Sequence, residues 1–344
     1  MNHLNVLVAG LLIFSVLLKW TPDAPAAPID ELIAAAQKEG VIQFYAPSTL
    51  GPEGAQKLAE AFNKKYHLNI NMQYIPSGSM TGDVAKVAGL AVAGVPPEWD
   101  LMVVHDAGHG TLWLRKLHKP FDYRKLGIDP SVIHYDSGAV AFANQFALPA
   151  YNKKFLPPQD VPKNWEDLLE PKWKGGKLGV AALDHLARLA IGWGEKRATE
   201  YVKALAKQAP MLGLLGSLYS RLQIGEILVM VTLTDSFIHR ATQTGSSIAF
   251  AEGVEPLIAP TYQAGVLKGA QHPNAGHLFA VFLTTLEAQE IWEKYGGQTS
   301  ASIPGTTAYK YVQGKKVLYM TQNQAELIDR LIKEYGKILG FTTR

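Results

Sequence analysis

Three short runs rich in β-branched and aromatic residues, separated by stretches of helical periodicity, constrain this chain more than anything else in it. Residues 41–46 read as a strand, and residues 53–66 as a helix with Leu58, Ala61, Phe62 and Lys65 at helical spacing. Residues 69–75 alternate, with Ile70, Met72 and Tyr74 on one face, and a small-residue helix follows over 82–93. The third strand, 100–104, is apolar enough to be covered on both faces. Parallel neighbours need a crossover, usually a helix, so this order predicts an open, mainly parallel sheet with helices on each side. A short helix over 29–37, stopped by Gly40, precedes it.

A second αβ region follows. Residues 147–151 are extended, 165–169 form a short helix, 177–181 a strand, and helices run on through Ala209. Gly225-Glu226 turns into a strongly apolar strand over 227–232. Residues 274–295 read as one long helix. Residues 321–339 read as another, with Leu327, Ile328, Leu331, Ile332, Tyr335 and Ile338 on one stripe and Gly340 past its end. A chain of 344 residues has room for two domains, each with its own core.

Several functions are excluded by composition. Thirty-three basic against 30 acidic residues leave a formal net charge of +3 without a basic cluster, so no nucleic-acid partner is expected. There is no cysteine, hence no disulfide, thiolate metal site, cysteine nucleophile or lipidated cysteine. The apolar run 6–18 has the length of a signal-peptide core, and Ala24-x-Ala26 offers small residues for cleavage. Residues 1–26 are therefore expected to be a signal peptide and the mature protein to be soluble and periplasmic. No Lys or Arg precedes the apolar run, which leaves an uncleaved anchor as the other reading.

Particular motifs carry a family resemblance over nearly the whole chain after residue 27. Phe44-Tyr45-Ala46-Pro47-Ser48, Ala61-Phe62-Asn63-Lys64-Lys65-Tyr66 and Trp99-Asp100-Leu101-Met102-Val103 open it. Tyr151-Asn152-Lys153 and Pro162-Lys163-Asn164-Trp165-Glu166-Asp167-Leu168 follow, with Pro171-Lys172-Trp173-Lys174-Gly175. Gly225-Glu226 before an apolar strand and Lys268-Gly269-Ala270-Gln271-His272-Pro273-Asn274-Ala275 complete the set. Together they resemble family 1 extracellular solute-binding proteins of ABC importers, in particular the ferric-iron-binding subgroup. The resemblance implies a two-lobe α/β fold of the type II periplasmic-binding-protein class, each lobe a mixed, mainly parallel sheet flanked by helices and discontinuous in sequence. It places lobe 1 at about 27–104 and 240–300, and lobe 2 at about 105–239 and 301–344. It further implies a hinged monomer that captures a small molecule or ion, delivers it to permease subunits in the inner membrane, and needs no cofactor. In ferric-binding members two adjacent tyrosines follow the Gly-Glu strand. Here Leu233-Thr234-Asp235-Ser236-Phe237 stands there and no Tyr-Tyr pair occurs in the chain, so tyrosinate iron binding is not expected.

Candidate ligand-binding residues sit where strands end and helices begin, because free backbone N–H groups and short polar side chains meet there. They are Ser48 and Thr49; Ser77, Gly78 and Ser79; His105 and Asp106; Asp184, beside His185; Ser217, near Tyr219; and Asp235 and Ser236. Tyr151 is added from the resemblance. Ser48, Ser79 and Asp184 read equally as plain helix caps or turns, and Tyr151 as a buried aromatic. Carboxylates at Asp184 and Asp235, if both reach the cleft, favour a cationic or polyhydroxyl ligand. His105-Asp106-Ala107-Gly108-His109 spaces two histidines as in His-Glu-x-x-His zinc motifs, although the glycines speak against a regular helix. A divalent metal at His105 and Asp106 stays open, as does an exported metal-dependent enzyme, and so does a sensor that binds without transport. There is no nucleophile elbow, phosphate loop or dinucleotide fingerprint, and no catalytic residue is expected.

Overall fold

The computed structural model describes residues 28–341. The expected signal peptide, 1–26, lies outside them. Helix α1 (Pro28–Glu39) leads into β1 (Val41–Pro47), α2 (Gly51–Tyr66), β2 (Asn71–Ser77), α3 (Met80–Val92), β3 (Leu101–His105) and α4 (Asp106–Leu114). Strand β1 lies between β2 and β3, parallel to both. An antiparallel pair follows, β4 (Ile133–His134) and β5 (Ala139–Asn144).

Through Gln145 and Phe146 the chain crosses to a second sheet. It lays down β6 (Ala147–Asn152), β7 (Leu178–Val180), α5 (Leu183–Trp193), α6 (Glu195–Ala206) and β8 (Met211–Leu212). Then come α7 (Leu215–Gln223), β9 (Val229–Thr234), α8 (Asp235–Gln243), β10 (Ile248–Phe250) and β11 (Leu257–Ile258). It returns to the first sheet as β12 (Thr261–Val266), with α9 (Pro273–Leu283) and α10 (Leu286–Gly296). A third passage leads to α11 (Thr307–Val312), β13 (Val317–Leu318) and α12 (Ala325–Leu339). The first sheet runs β2-β1-β3-β12-β5-β4, the second β13-β11-β6-β9-β7-β8 with β10 also on β6. Both are mixed: β12 is antiparallel to β3 and β5, and β6 is antiparallel to β9, β10 and β11.

Alternation along the strands builds the first lobe's two layers. Phe44, Leu101 and Val103 share a core with Leu58, Phe62 and Phe279, where Phe279 meets Phe44 and Phe62 edge-on at 4.9 and 5.1 Å. Tyr45, Met102 and Val104 face the other way, onto Val84, Val87, Trp99 and Leu112. In the second lobe the two tryptophans of the proline-rich motif are core plugs. Both are buried, and their indole N–H groups are satisfied, Trp165 donating to Pro256 O at 3.2 Å and Trp173 to Asp167 O at 2.7 Å. That motif is distinctive because a buried indole needs both a fitted cavity and an acceptor.

One expectation changes. The single helix over 274–295 is two helices, because Thr285 stops the first and caps the second, accepting from Ala288 N at 3.3 Å. Strands β4 and β5 belong to the first sheet, and β10 and β11 to the second. The reason is β12. Inserted beside β3, it needs a partner on its free side, and β5 supplies one.

Candidate functional site

The parallel strands of the first sheet, β1, β2 and β3, end at Pro47, Ser77 and His105, and those of the second, β7, β8 and β9, at Val180, Leu212 and Thr234. All the expected site residues except Tyr151 lie at or just beyond these ends. In the first lobe the turns after β1 and β2 are tied together, Ser48 N donating to Ser77 O at 3.2 Å. Ser77 is buried and gives its hydroxyl to Asp83, as does Tyr45. Ser79 caps α3, whereas Ser48, Gly78 and Ser79 themselves are exposed and Thr49 is half-buried.

A polar cluster bridges the two lobes at these strand ends. His105 Nδ1 lies 4.0 Å from Asp184 Oδ2, and His185 Nε2 lies 4.0 Å from the same oxygen. Arg188, one turn further along α5, reaches Asp106 with its guanidinium and stands 3.8 Å from Asp184. Asp106 also accepts from the backbone N–H groups of Ala107 and Thr261, and Tyr135 donates to its carbonyl. Asp106 and Arg188 are fully buried, His185 nearly so. The ring of Tyr262, on β12, packs on His105 at 4.7 Å, and Gln145 donates to its hydroxyl. Sequence reasoning singled out His105, Asp106 and Asp184. It passed over Arg188, whose only signal is its place four residues after Asp184, and treated His185 as a neighbour.

Burial sets the charges here. It pushes His105 down to about 4 and lowers His185, so both rings are neutral at pH 7. Burial works to raise Asp184 but is outweighed by His185, Arg188 and His105, and its carboxyl is held below the usual range. With the imidazoles neutral, Arg188 is the positive charge that matters to it. The Tyr262 phenol is pushed well above its ordinary value, first by burial and then by Asp235 and Asp184, so it is no phenolate.

His109 does not join His105. Residues 106–114 are helical despite their glycines, but the His109 ring turns inward and donates from Nε2 to Gln263 O at 2.9 Å. Its Nδ1 then accepts from His118 Nε2, also at 2.9 Å. Both ring nitrogens are used, which removes the paired-histidine zinc motif.

Asp235, the first residue of α8, sits at the hinge. Its carboxylate accepts from Phe146 N in one crossing segment and Gln298 Nε2 in another, and from Ser236 N. The crossings are themselves cross-linked, Asn144 N to Thr299 O and Gln145 N to Pro260 O. Burial pushes Asp235 up to about 7 against the lowering pull of those donors. Beside it lies a cavity of about 200 Å³ lined by Phe146, Glu252, Gln298 and Tyr311 among others. Ser236 is buried and bonded to Thr234. Ser217 is exposed in the first turn of α7, and Tyr151 is half-buried in mid-sheet, paired with Val229 and Ala249. Neither bonds to the His105–Asp184 cluster.

The sequence pattern of bacterial extracellular solute-binding proteins matches residues 42–298, most of the chain. The chain belongs to that family. This solute-binding protein is also similar to AfuA of Actinobacillus pleuropneumoniae, whose structure has exogenous fructose-6-phosphate bound. The likeness has a TM-score of 0.71 at 18% identity and covers 88% of this chain and 99% of that one. Iron-bound HitA of Pseudomonas aeruginosa is similar at a TM-score of 0.64 and 15% identity, over 86% and 99% of the two chains. An uncharacterised protein of Haemophilus influenzae is 28% identical over 190 residues, 52% of this chain. The match spans about half the length of that relative. At such identities the structural likenesses establish the fold of the solute-binding protein, in which two mixed sheets are flanked by helices.

Proposed function

We propose that this protein is the periplasmic binding component of an ABC-type importer, exported by a signal peptide at residues 1–26. It takes a small solute between two hinged lobes, hands it to the membrane permease, and performs no chemistry on it. The observation that carries this reading is the meeting of two sets of strand ends at His105 and Asp184, across a hinge of three crossing segments. Polar groups from both lobes can then close on one ligand, and release follows when the lobes part. In this reading lobe 1 comprises residues 28–144 with 261–296, lobe 2 residues 145–260 with 297–341, and His105, Asp106 and Asp184 bind ligand. Ser48, Thr49, Ser77, Gly78, Ser79, Ser217, Asp235 and Ser236 serve the rim and the hinge.

A thermal-shift screen tests it, using mature protein refolded from denaturant to remove carried-over ligand. The panel runs over sugar phosphates, organic acids, polyamines, and ferric and divalent metal ions. A solute at a hundred times its Kd adds about 2.7 kcal/mol, which raises Tm by roughly 4 °C in a chain of this size. Solution scattering should show contraction with the same solute. Turnover of a bound solute, or binding with no domain closure, would overturn the reading.

A further inference from the structure

We propose that His105 Nδ1, His185 Nε2 and Asp184 Oδ2 form the binding site for a divalent transition-metal ion, and that this ion is the imported solute. The proposal rests on the solute-binding reading above and names its ligand class.

Three observations carry it. One ligand atom from each of the three residues lies within 4.8 Å of the others, and Asp184 Oδ2 is 4.0 Å from His105 Nδ1 and from His185 Nε2. These gaps are too long for hydrogen bonds. An ion at about 2.0–2.2 Å from each ligand needs ligand atoms roughly 3.3–3.5 Å apart in a tetrahedral site. A contraction of about half an ångström on the two sides that meet Asp184, and of at most about 1.4 Å on the side between the rings, therefore turns an open triangle into a coordination site.

One proposed ligand atom also lacks a partner. Both nitrogens of His185, which is 1% exposed, are buried without a hydrogen bond, and an ion on Nε2 would give that atom one. A neutral imidazole carries a donor and an acceptor, and leaving both unmet in the interior is costly. His109, on the neighbouring helix, shows the contrast, because both its nitrogens are bonded.

Charge points the same way. Asp106 and Asp184 face a single arginine, Arg188, and Asp106 takes it, leaving Arg188 3.8 Å from Asp184. The buried cluster is thus left with one unmatched negative charge, which a bound cation would balance. Two imidazoles and one carboxylate suit borderline divalent ions such as Zn²⁺, Ni²⁺ or Co²⁺. Ferric iron prefers hard anionic oxygens, and Mg²⁺ and Ca²⁺ prefer all-oxygen shells. Because His105 comes from the first lobe and His185 and Asp184 from the second, the ion would hold the lobes shut.

The test titrates chelator-treated, refolded mature protein with Co²⁺ and follows the visible d–d absorption, with Zn²⁺ as displacer. One ion per chain is expected. His105→Gln and His185→Gln should each weaken Co²⁺ binding by about 100-fold or more, since even outer partners of a metal ligand are worth 10–100-fold, while His67→Asn leaves it unchanged. A measurement on the unaltered protein guards against unfolded variants: ¹⁵N NMR of the imidazoles should show Zn²⁺ shifting His105 Nδ1 and His185 Nε2. Absence of those shifts, or Co²⁺ binding equal in folded His105→Gln and His185→Gln, overturns the proposal. If a sugar phosphate or other organic solute stabilises the protein and no metal does, the metal site fails while the solute-binding reading stands. If nothing on the panel binds, both fail.

Discussion

Arg188 and Asp106 form a fully buried ion pair at the junction of the lobes, Asp106 beginning α4 and Arg188 lying in α5. The pair joins two helices that belong to different sheets, and Asp184 stands 3.8 Å behind it. A second, more exposed pair, Arg115 with Asp329 at 3.5 Å, also crosses between α4 and α12.

Arg188→Met leaves the Asp106 carboxylate buried without its partner. The expected loss is about 3–5 kcal/mol, as found when one half of a buried pair is removed. Urea unfolding of the ligand-free protein measures it. A loss below about 1 kcal/mol, within the range of exposed pairs, would show that the pair is wet in solution.

Buried histidines make the protein acid-labile. His105 and His109 are pushed down to about 4 and His277 to about 3, each chiefly by burial, and His118 and His185 are lowered too. The unfolded chain therefore binds more protons than the folded one between about pH 6.5 and 4. Stability is complete above the unfolded value and falls as pH drops through that window. Urea midpoints across the window should decline steadily, and His277 should remain neutral by NMR at pH 5.

Asp235 has the opposite sign. Its folded value, about 7, lies above the ordinary 3.8, so its stabilising contribution is present at low pH and is lost as pH rises through 7. The carboxyl ¹³C resonance should titrate near 7. A resonance that titrates near 4 would mean that the Phe146, Ser236 and Gln298 donors outweigh burial.

Gly265 and Gly138 make room for the histidine pair. A Cβ on Gly265 would stand 2.6 Å from His109 Cε1, and one on Gly138 2.7 Å from the His118 ring. Gly265→Ala should cost about 1–3 kcal/mol by overpacking, readable as a lower urea midpoint. The carbonyl of Gly138, 3.0 Å from the same Cβ, blocks relief on the other side.

Much of the architecture was legible locally. Residues 41–46, 53–66, 69–75 and 100–104 take their expected forms because period 2 and period 3.6 in apolar residues report which faces will be covered. Strands β5 and β12 were not foreseen. β5 holds three alanines and β12 holds Ala264-Gly265, small residues that carry no strand signal, and their pairing joins residues far apart in the chain. The helix break at Thr284-Thr285 was missed because the apolar periodicity continues across it, while the cap is a matter of one hydroxyl.

The sequence by itself determined the family, the alternation of strands and helices, and the loss of the tyrosine pair, since each is written in contiguous residues. Which strand ends face each other was decided only by the tertiary structure. His105 meets His185 and Asp184, while His109, four residues away, is spent on Gln263 and His118. Sequence spacing suggested the opposite pairing. A side chain's partners depend on where the sheets and their crossings place it, and burial then decides whether its nitrogens are bonded, charged or free to take an ion.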